Sequence, residues 1–153
     1  MPAIIRVQAE PIDPAAEYAV LTAAADGTAG AIVTFTGLCR DEGGRLAALE
    51  LEHYPGMAEA ELGRIAAEAE RRWPLLAAAI VHRYGVVRPG ETIVLVAVAS
   101  AHRGAAFAAA EFLMDFLKTR APFWKREHLA DGTVGAWIEA RHADDAAADR
   151  WAG

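Results

Sequence analysis

One cysteine, Cys39, occurs in the 153 residues of this chain. A disulfide framework and a cysteine-built zinc cage are therefore excluded. No apolar run reaches the roughly 18 residues that a membrane helix needs. The opening Met1-Pro2-Ala3-Ile4-Ile5-Arg6 has no basic leader ahead of an apolar stretch. No secretory signal is expected from it, and a cytoplasmic protein is. The sequence also lacks a P-loop, a GxGxxG, an HExxH and a GxSxG elbow, so nucleotide, zincin and serine-hydrolase chemistries have no foothold in it. Positive charge is in deficit, with 15 Lys+Arg against 21 Asp+Glu and a net charge of −6. A nucleic-acid binder working by bulk charge is disfavoured.

What the chain does have is apolar substance. Hydrophobic residues make up 54% of it, 37 of them alanine. Larger apolar side chains still amount to roughly 30%, enough to rule out disorder and to build one core. The length predicts a single domain over 1–153. Ile4–Gln8 has the β-branched character of a short strand. Asp13-Pro14 opens a helix to about Ala25, with Asp13 as cap and Pro14 at the first helical position. Strands are expected over Gly30–Gly37 and Arg45–Tyr54, and Asp41-Glu42-Gly43-Gly44 between them predicts a hairpin or longer β-loop. Leu62, Ile65, Ala66, Ala69 and Trp73 recur at helical spacing, and Pro74 ends that helix. Two further strands, Ala77–Tyr84 and Glu91–Ala99, flank a turn at Arg88-Pro89-Gly90. The run Ile93–Val98 is apolar on both faces and predicts the most buried strand. A helix follows from about Gly104 to Thr119, Pro122 breaks the chain, and a last strand is expected over Gly132–Glu139. The tail after Ala143 is read as a short helix. This order predicts a mixed α+β domain rather than a doubly wound parallel sheet.

The charges are unevenly placed. Ser100 to His128 carries Arg103, Lys118, Arg120, Lys125 and Arg126 against Glu111, Asp115 and Glu127, a local +2 while the rest of the chain is −8. Ser100-Ala101-His102-Arg103-Gly104 joins the most buried strand to the longest helix. The free amides of that helix start, with His102 and Arg103, suit a small anion; Ser100 capping the helix with solvated basic neighbours is the alternative. Lys118, Lys125 and Arg126 bracket an aromatic break, Phe123-Trp124. Lysines at a helix end complement its dipole. Lysines sheltered by Phe116, Leu117, Phe123 and Trp124 would also have a lowered pKa and could move protons. Arg40 ends a strand beside Asp41 and Glu42, which is either an anion contact or a routine surface pair. Cys39 next to it is either a persulfide carrier or a small semi-buried side chain. His53, His82 and His102 lack metal-ligand spacing, so no metal is expected.

Four stretches carry a resemblance: Gly30-AIVTFTGLCRD-Glu42, Leu49-ELEHYPGM-Ala58, Arg72-Trp73-Pro74 and Ser100-AHRGAAFAAAEFLMDFLKTRAPFWKRE-His128. Together they resemble the large, catalytic subunits of molybdopterin synthase, most strongly over 30–140. That resemblance implies a hammerhead-like α/β domain that dimerises. It implies a sulfurtransferase that turns a cyclic pyranopterin monophosphate into the dithiolene molybdopterin. The sulfur would come from the C-terminal Gly-Gly thiocarboxylate of a small ubiquitin-like partner, within a heterotetramer built on a dimer of large subunits. Neither a cofactor nor a metal, nucleic-acid or membrane partner is implied. Carried onto this chain, the catalytic lysines fall on Lys118 and Lys125. The substrate contacts fall on Leu38, Cys39 and Arg40, on His102 and Arg103, and on the Lys125, Arg126, Glu127 segment. Cys39 stands where an aliphatic residue is expected. Lys118 and His102 lie sixteen residues apart, largely on one expected helix, or on the order of 24 Å. A composite site at a two-fold interface is therefore expected, with His102 and Arg103 supplied by the neighbouring copy. Two other classes remain, a non-catalytic anion-binding protein and a persulfide enzyme using Cys39.

Overall fold

Two sheets divide the work in this computed structural model, which describes residues 3–138 and 148–152. The larger sheet is built from β1 (Ile4–Gln8), β2 (Ala31–Leu38), β4 (Leu75–Arg83) and β6 (Thr92–Ser100), in the order β1-β4-β6-β2. β1 runs parallel to β4, and the other neighbours are antiparallel. The smaller sheet has the order β5-β3-β7, from β3 (Leu46–His53), β5 (Gly85–Val87) and β7 (Phe123–Leu129). Helix α1 (Pro14–Ala25) covers one face of the large sheet, while α2 (Met57–Arg72) and α3 (Arg103–Arg120) cover the other.

Alternation along the central strands sorts the core into those two layers. Ile80, Val94, Val96 and Val98 point toward α2 and α3, where they meet Leu62, Ile65, Phe112 and Leu113. Ala79, Val81, Leu95 and Ala97 point toward α1 and meet Leu21. The expectation of a β6 apolar on both faces is met, since Val94 to Ser100 are all buried. Asp13 caps α1 as expected, accepting from the Ala16 amide with Pro14 at the first position.

Two expectations fail, and one strand was not expected at all. β2 and β3 are not a hairpin: β2 pairs with β6 in the large sheet and β3 with β5 and β7 in the small one. The loop between them turns on Asp41, whose Oδ1 accepts from the Gly43 and Gly44 amides, so its turn chemistry redirects the chain between sheets. The segment after the Pro122 break is itself a strand, β7, pairing with β3 from His53↔Phe123 to Leu46↔Leu129. The last strand expected over Gly132–Glu139 is reduced to isolated bridges at Val134↔His128 and Ile138↔Lys125. Here β7 takes the sheet position, and the later segment only lies along its edge. Glu139 and most of the tail helix expected after Ala143 fall outside the described residues. At the far end, the Trp151 ring packs edge-on against Trp73 and Phe112, and its Nε1 donates to Asp115 at 2.6 Å.

Candidate active site

Helix α3 places its two basic ends on opposite sides of the molecule. It starts directly after β6 and packs back along β6 and β2. Its C-terminal turn, with Lys118, therefore lies near the start of β6, and its N-terminus near the end of β6. His102 holds the N-cap position in an extended conformation and no side chain caps the helix. Ser100 is not the cap, because its buried hydroxyl donates to the Pro74 carbonyl at 2.9 Å. The first-turn amides of α3 thus face outward with His102 and Arg103, both exposed. Gly30 fits tightly behind this turn: its amide donates to the Ser100 carbonyl, and a Cβ there would stand 2.1 Å from the Ala101 carbonyl oxygen. Only glycine allows β2 to start against this loop.

At the other end of α3 the side chains converge. Lys118 and Lys125 are the only lysines of the chain. Phe123 stacks on His82 with centroids 3.8 Å apart and planes at 15°, and His53 packs on both Phe123 and Tyr84. His82 is buried, with its Nδ1 2.9 Å from the Arg83 carbonyl. Burial lowers its pKa to about 4, and the nearby charges of Lys118 and His53 push in the same direction. This ring is therefore neutral at ordinary pH and presents a flat, uncharged wall beside Lys118. Lys125 follows Phe123 by two positions and shares its face of β7. It pairs across to Leu51 and exchanges backbone hydrogen bonds with Ile138 at 3.0 and 2.7 Å. Lys125 is half-buried, whereas Lys118 is exposed on the single chain, so the expected shelter for Lys118 is not supplied by its own protomer.

Strand alternation separates residues that the sequence sets side by side. Lys125 and Glu127 share one face, while Arg126 turns to the other. There Arg126 donates to Glu50 at 2.8 Å and lies 4.4 Å over the Trp137 ring. Glu127 pairs with Arg45 at 3.1 Å. On β2, Leu38 is exposed at the strand end, and the Arg40 side chain is 86% exposed, 4.0 Å from Glu42. Both sit at the Lys118 end of the sheet, since Leu38 pairs with Thr92 at the start of β6. Cys39 is only 3% exposed, and burial raises its thiol pKa. A persulfide carrier needs an accessible thiolate, and this environment offers neither access nor a thiolate. Among the described residues no group of three or more His, Cys, Asp or Glu side chains is arranged to hold a metal. No helix among them is long and apolar enough to cross a membrane. The supporting wall of His82, His53, Tyr84 and Phe123 was not foreseen, because it joins three segments far apart in sequence.

Lys118, Arg40 and a neutral aromatic wall stand toward one end of the four-stranded sheet and Lys125 on the three-stranded one, within a single domain of the mixed α+β enzyme class. The family model described as MoaE protein matches residues 7–120, and the chain belongs to that family. It is 63% identical over 149 residues to the molybdopterin synthase catalytic subunit of Mesorhizobium japonicum, covering 96% of this chain and 92% of that one. Identity to the protein of the same name from Rhizobium meliloti is 61% over 150 residues, covering 98% and 96%. Among solved structures, the molybdopterin biosynthesis MoaE protein from Burkholderia ambifaria superposes with a TM-score of 0.85 at 51% identity, covering 99% of both chains. Molybdopterin synthase from Staphylococcus aureus does so at 0.78 and 33% identity, covering 86% of this chain and 94% of that one.

Proposed function

We propose that this chain is the catalytic subunit of a molybdopterin synthase, one domain over 1–153 acting in the cytoplasm. It moves two sulfurs onto cyclic pyranopterin monophosphate from the C-terminal thiocarboxylate of a small ubiquitin-like subunit. The observation that carries the reading is that Lys118 lies near enough to the buried His82–Phe123 stack to act on His82 electrostatically, with Lys125 two positions along β7 from Phe123 on the same face. Both reactants are anions, and the chain as a whole is acidic. A local cluster of cations is what brings such reactants together and holds them in register.

The residues divide the labour. Lys118 stands beside the thiocarboxylate and the attacked carbon, and Lys125 supplies or removes protons and stabilises the oxyanion of the tetrahedral adduct. Arg40, with its exposed neighbour Leu38, frames the substrate at the end of β2, while Cys39 between them is buried and supports the strand end by packing. His102, Arg103 and the free amides of the α3 start anchor the phosphate. Glu127 holds Arg45 beside the site. Arg126 acts from the outer face, where it fixes β7 to β3 through Glu50. Each round exchanges sulfur for oxygen, and the carrier leaves as a carboxylate.

Such a division needs two copies of the chain. His102 and Lys118 are separated by α3, on the order of 24 Å of helix. The edge strand β2 supports a way to close that gap. Its outer side has no partner strand in the described chain, and Phe35, Leu38 and Phe107 are exposed around it. Phe107 is 61% exposed on the first turns of α3. Antiparallel pairing of two β2 edges would set the two α3 helices side by side and antiparallel. The phosphate anchor of one copy would then stand at the lysines of the other. This dimer is the core of a heterotetramer, with one small subunit at each end. Reconstitution with thiocarboxylated small subunit and the cyclic pterin phosphate tests the reading, scored by dithiolene product. Product from the wild-type chain, and none from Lys118→Ala with partner binding kept, is the expected result. Equal turnover by Lys118→Ala would overturn it in favour of a non-catalytic anion binder.

A further inference from the structure

One ring near the lysines has no hydrogen-bonding partner. His82 Nδ1 lies 2.9 Å from the Arg83 carbonyl, and His128 Nε2 lies 2.9 Å from Glu50. His102 stands at the opposite end of α3. His53, at the end of β3, makes no hydrogen bond or ion pair among the described residues. Its Nδ1 is buried without a partner, while Nε2 is not enclosed.

The ring is nevertheless held firmly. Tyr84 packs on it with centroids 4.4 Å apart, and Phe123 stacks at 6.0 Å with planes at 23°. On successive rungs of the small sheet His53 faces Phe123 and Leu51 faces Lys125. His53 and Lys125 therefore share one face as diagonal neighbours, a separation of about 7–8 Å that long side chains can span. Both His53 and Lys118 lie near enough to His82 to act on it electrostatically. Register thus ties His53 to one lysine, and the His82 ring ties it to the surroundings of the other.

An uncharged imidazole has one N–H donor and one lone pair. A buried N–H is rarely left without an acceptor, whereas an unpaired lone pair is tolerated more often. The proton accordingly sits on Nε2, and the clamped ring offers a donor on its open side.

We propose that His53 donates this N–H to the acyl oxygen of the small subunit's thiocarboxylate as sulfur is transferred. The inference rests on the function proposed above and adds a residue to it. When water adds to the acyl carbon of the carrier–pterin adduct, the carbonyl electron pair moves onto oxygen. That pair returns as the carbon–sulfur bond breaks, and the sulfur keeps the bond's electrons and stays on the pterin. The carrier leaves as its carboxylate, and the two protons of the water pass to solvent. His53 keeps its own proton throughout. Lys125 meets the developing oxyanion with a charge on a flexible stem, and His53 meets it with a donor of fixed direction.

Three variants separate a donor from a packing ring, each assayed with thiocarboxylated small subunit and the cyclic pterin phosphate. His53→Phe keeps the ring and removes the donor. Its turnover at saturation should fall about a hundredfold, as for the loss of one oxyanion donor, with KM for the pterin unchanged. Its unfolding midpoint should match or exceed that of wild type, because a buried unpaired nitrogen is gone. His53→Gln sets an amide N–H near the Nε2 position and should recover turnover to within about tenfold of wild type. His53→Asn reaches only the Nδ1 position and should stay as low as His53→Phe. Wild-type turnover in His53→Phe would overturn the proposal while the enzyme reading stands. Equal turnover in His53→Gln and His53→Asn would overturn it too, since packing alone would then be at stake. If His53→Phe fails to fold, that Gln–Asn pair decides the matter. A wild-type chain that makes no dithiolene product would overturn the enzyme reading and this inference with it.

Discussion

The two sheets differ in what they bury. In the four-stranded sheet, β4 is buried from Ala77 to Arg83 and β6 from Val94 to Ser100, and helices close both faces. In the three-stranded sheet every residue of β7 is half-exposed, and Lys125, Arg126, Glu127 and His128 follow one another along it. One sheet contributes stability through apolar burial. The other tolerates charge, and in the proposed reading its Lys125 works with Lys118 on α3, which the first sheet holds in place. Chemistry is placed on the less buried element and precision is borrowed from the more buried one.

That contrast can be broken or sharpened by experiment, beginning with the largest effect. Lys118→Ala should lower dithiolene formation about a hundredfold or more with an unchanged unfolding midpoint, because a lost proton-transfer or charge-stabilising group costs that much. An activity loss matched by unfolding would mean that Lys118 belongs to the scaffold instead. Phe112→Ala, in the core between α2, α3 and the large sheet, should do the reverse. Denaturant unfolding should show a loss of about 3–5 kcal/mol, with turnover per folded molecule retained.

A third prediction concerns the seam between the sheets. His82 is held neutral, its pKa lowered to about 4 from an ordinary 6.5. The unfolded chain takes up a proton there first as pH falls. The stability from this ring is therefore present above about pH 6.5, is lost progressively down to about pH 4, and falls no further below it. The total is on the order of 3 kcal/mol. Stability measured across that window should decline less in His82→Gln than in wild type, and parallel curves would contradict the buried neutral ring. The smallest effect is expected at Cys39. Cys39→Ala should cost about 1 kcal/mol in denaturant unfolding as a small cavity, and turnover with thiocarboxylated small subunit should be unchanged. Loss of turnover would reinstate the persulfide route.

The same contrast explains what could be read from the sequence. β6 declares itself as an unbroken apolar run, and α1 by the Asp13-Pro14 start. Both signals are local, and both elements formed where expected. β7 has no such signal. Phe123, Lys125 and Glu127 alternate with Trp124, Arg126 and His128, so neither face is purely apolar, and the strand exists through its pairing with β3 some seventy residues away. β5, three residues long, is set by the same long-range pairing. Missing β7 had a direct consequence for the site, since a basic segment of unknown conformation gives no reason to separate Arg126 from Lys125. The cationic positions themselves were legible, because in an acidic chain they cluster between Ser100 and His128. Their wall was not: His82, His53 and Phe123 meet only when β3, β4 and β7 are in place.

The most direct test of the composite site uses mixed dimers. A dimer pairing a Lys118→Ala chain with a His102→Ala chain has one site lacking both groups and one site lacking neither. Purified through two different tags and supplied with thiocarboxylated small subunit, it should recover about half the wild-type turnover per dimer, while each homodimeric variant stays impaired. A mixed dimer no more active than its parents would show that each site is built within one chain.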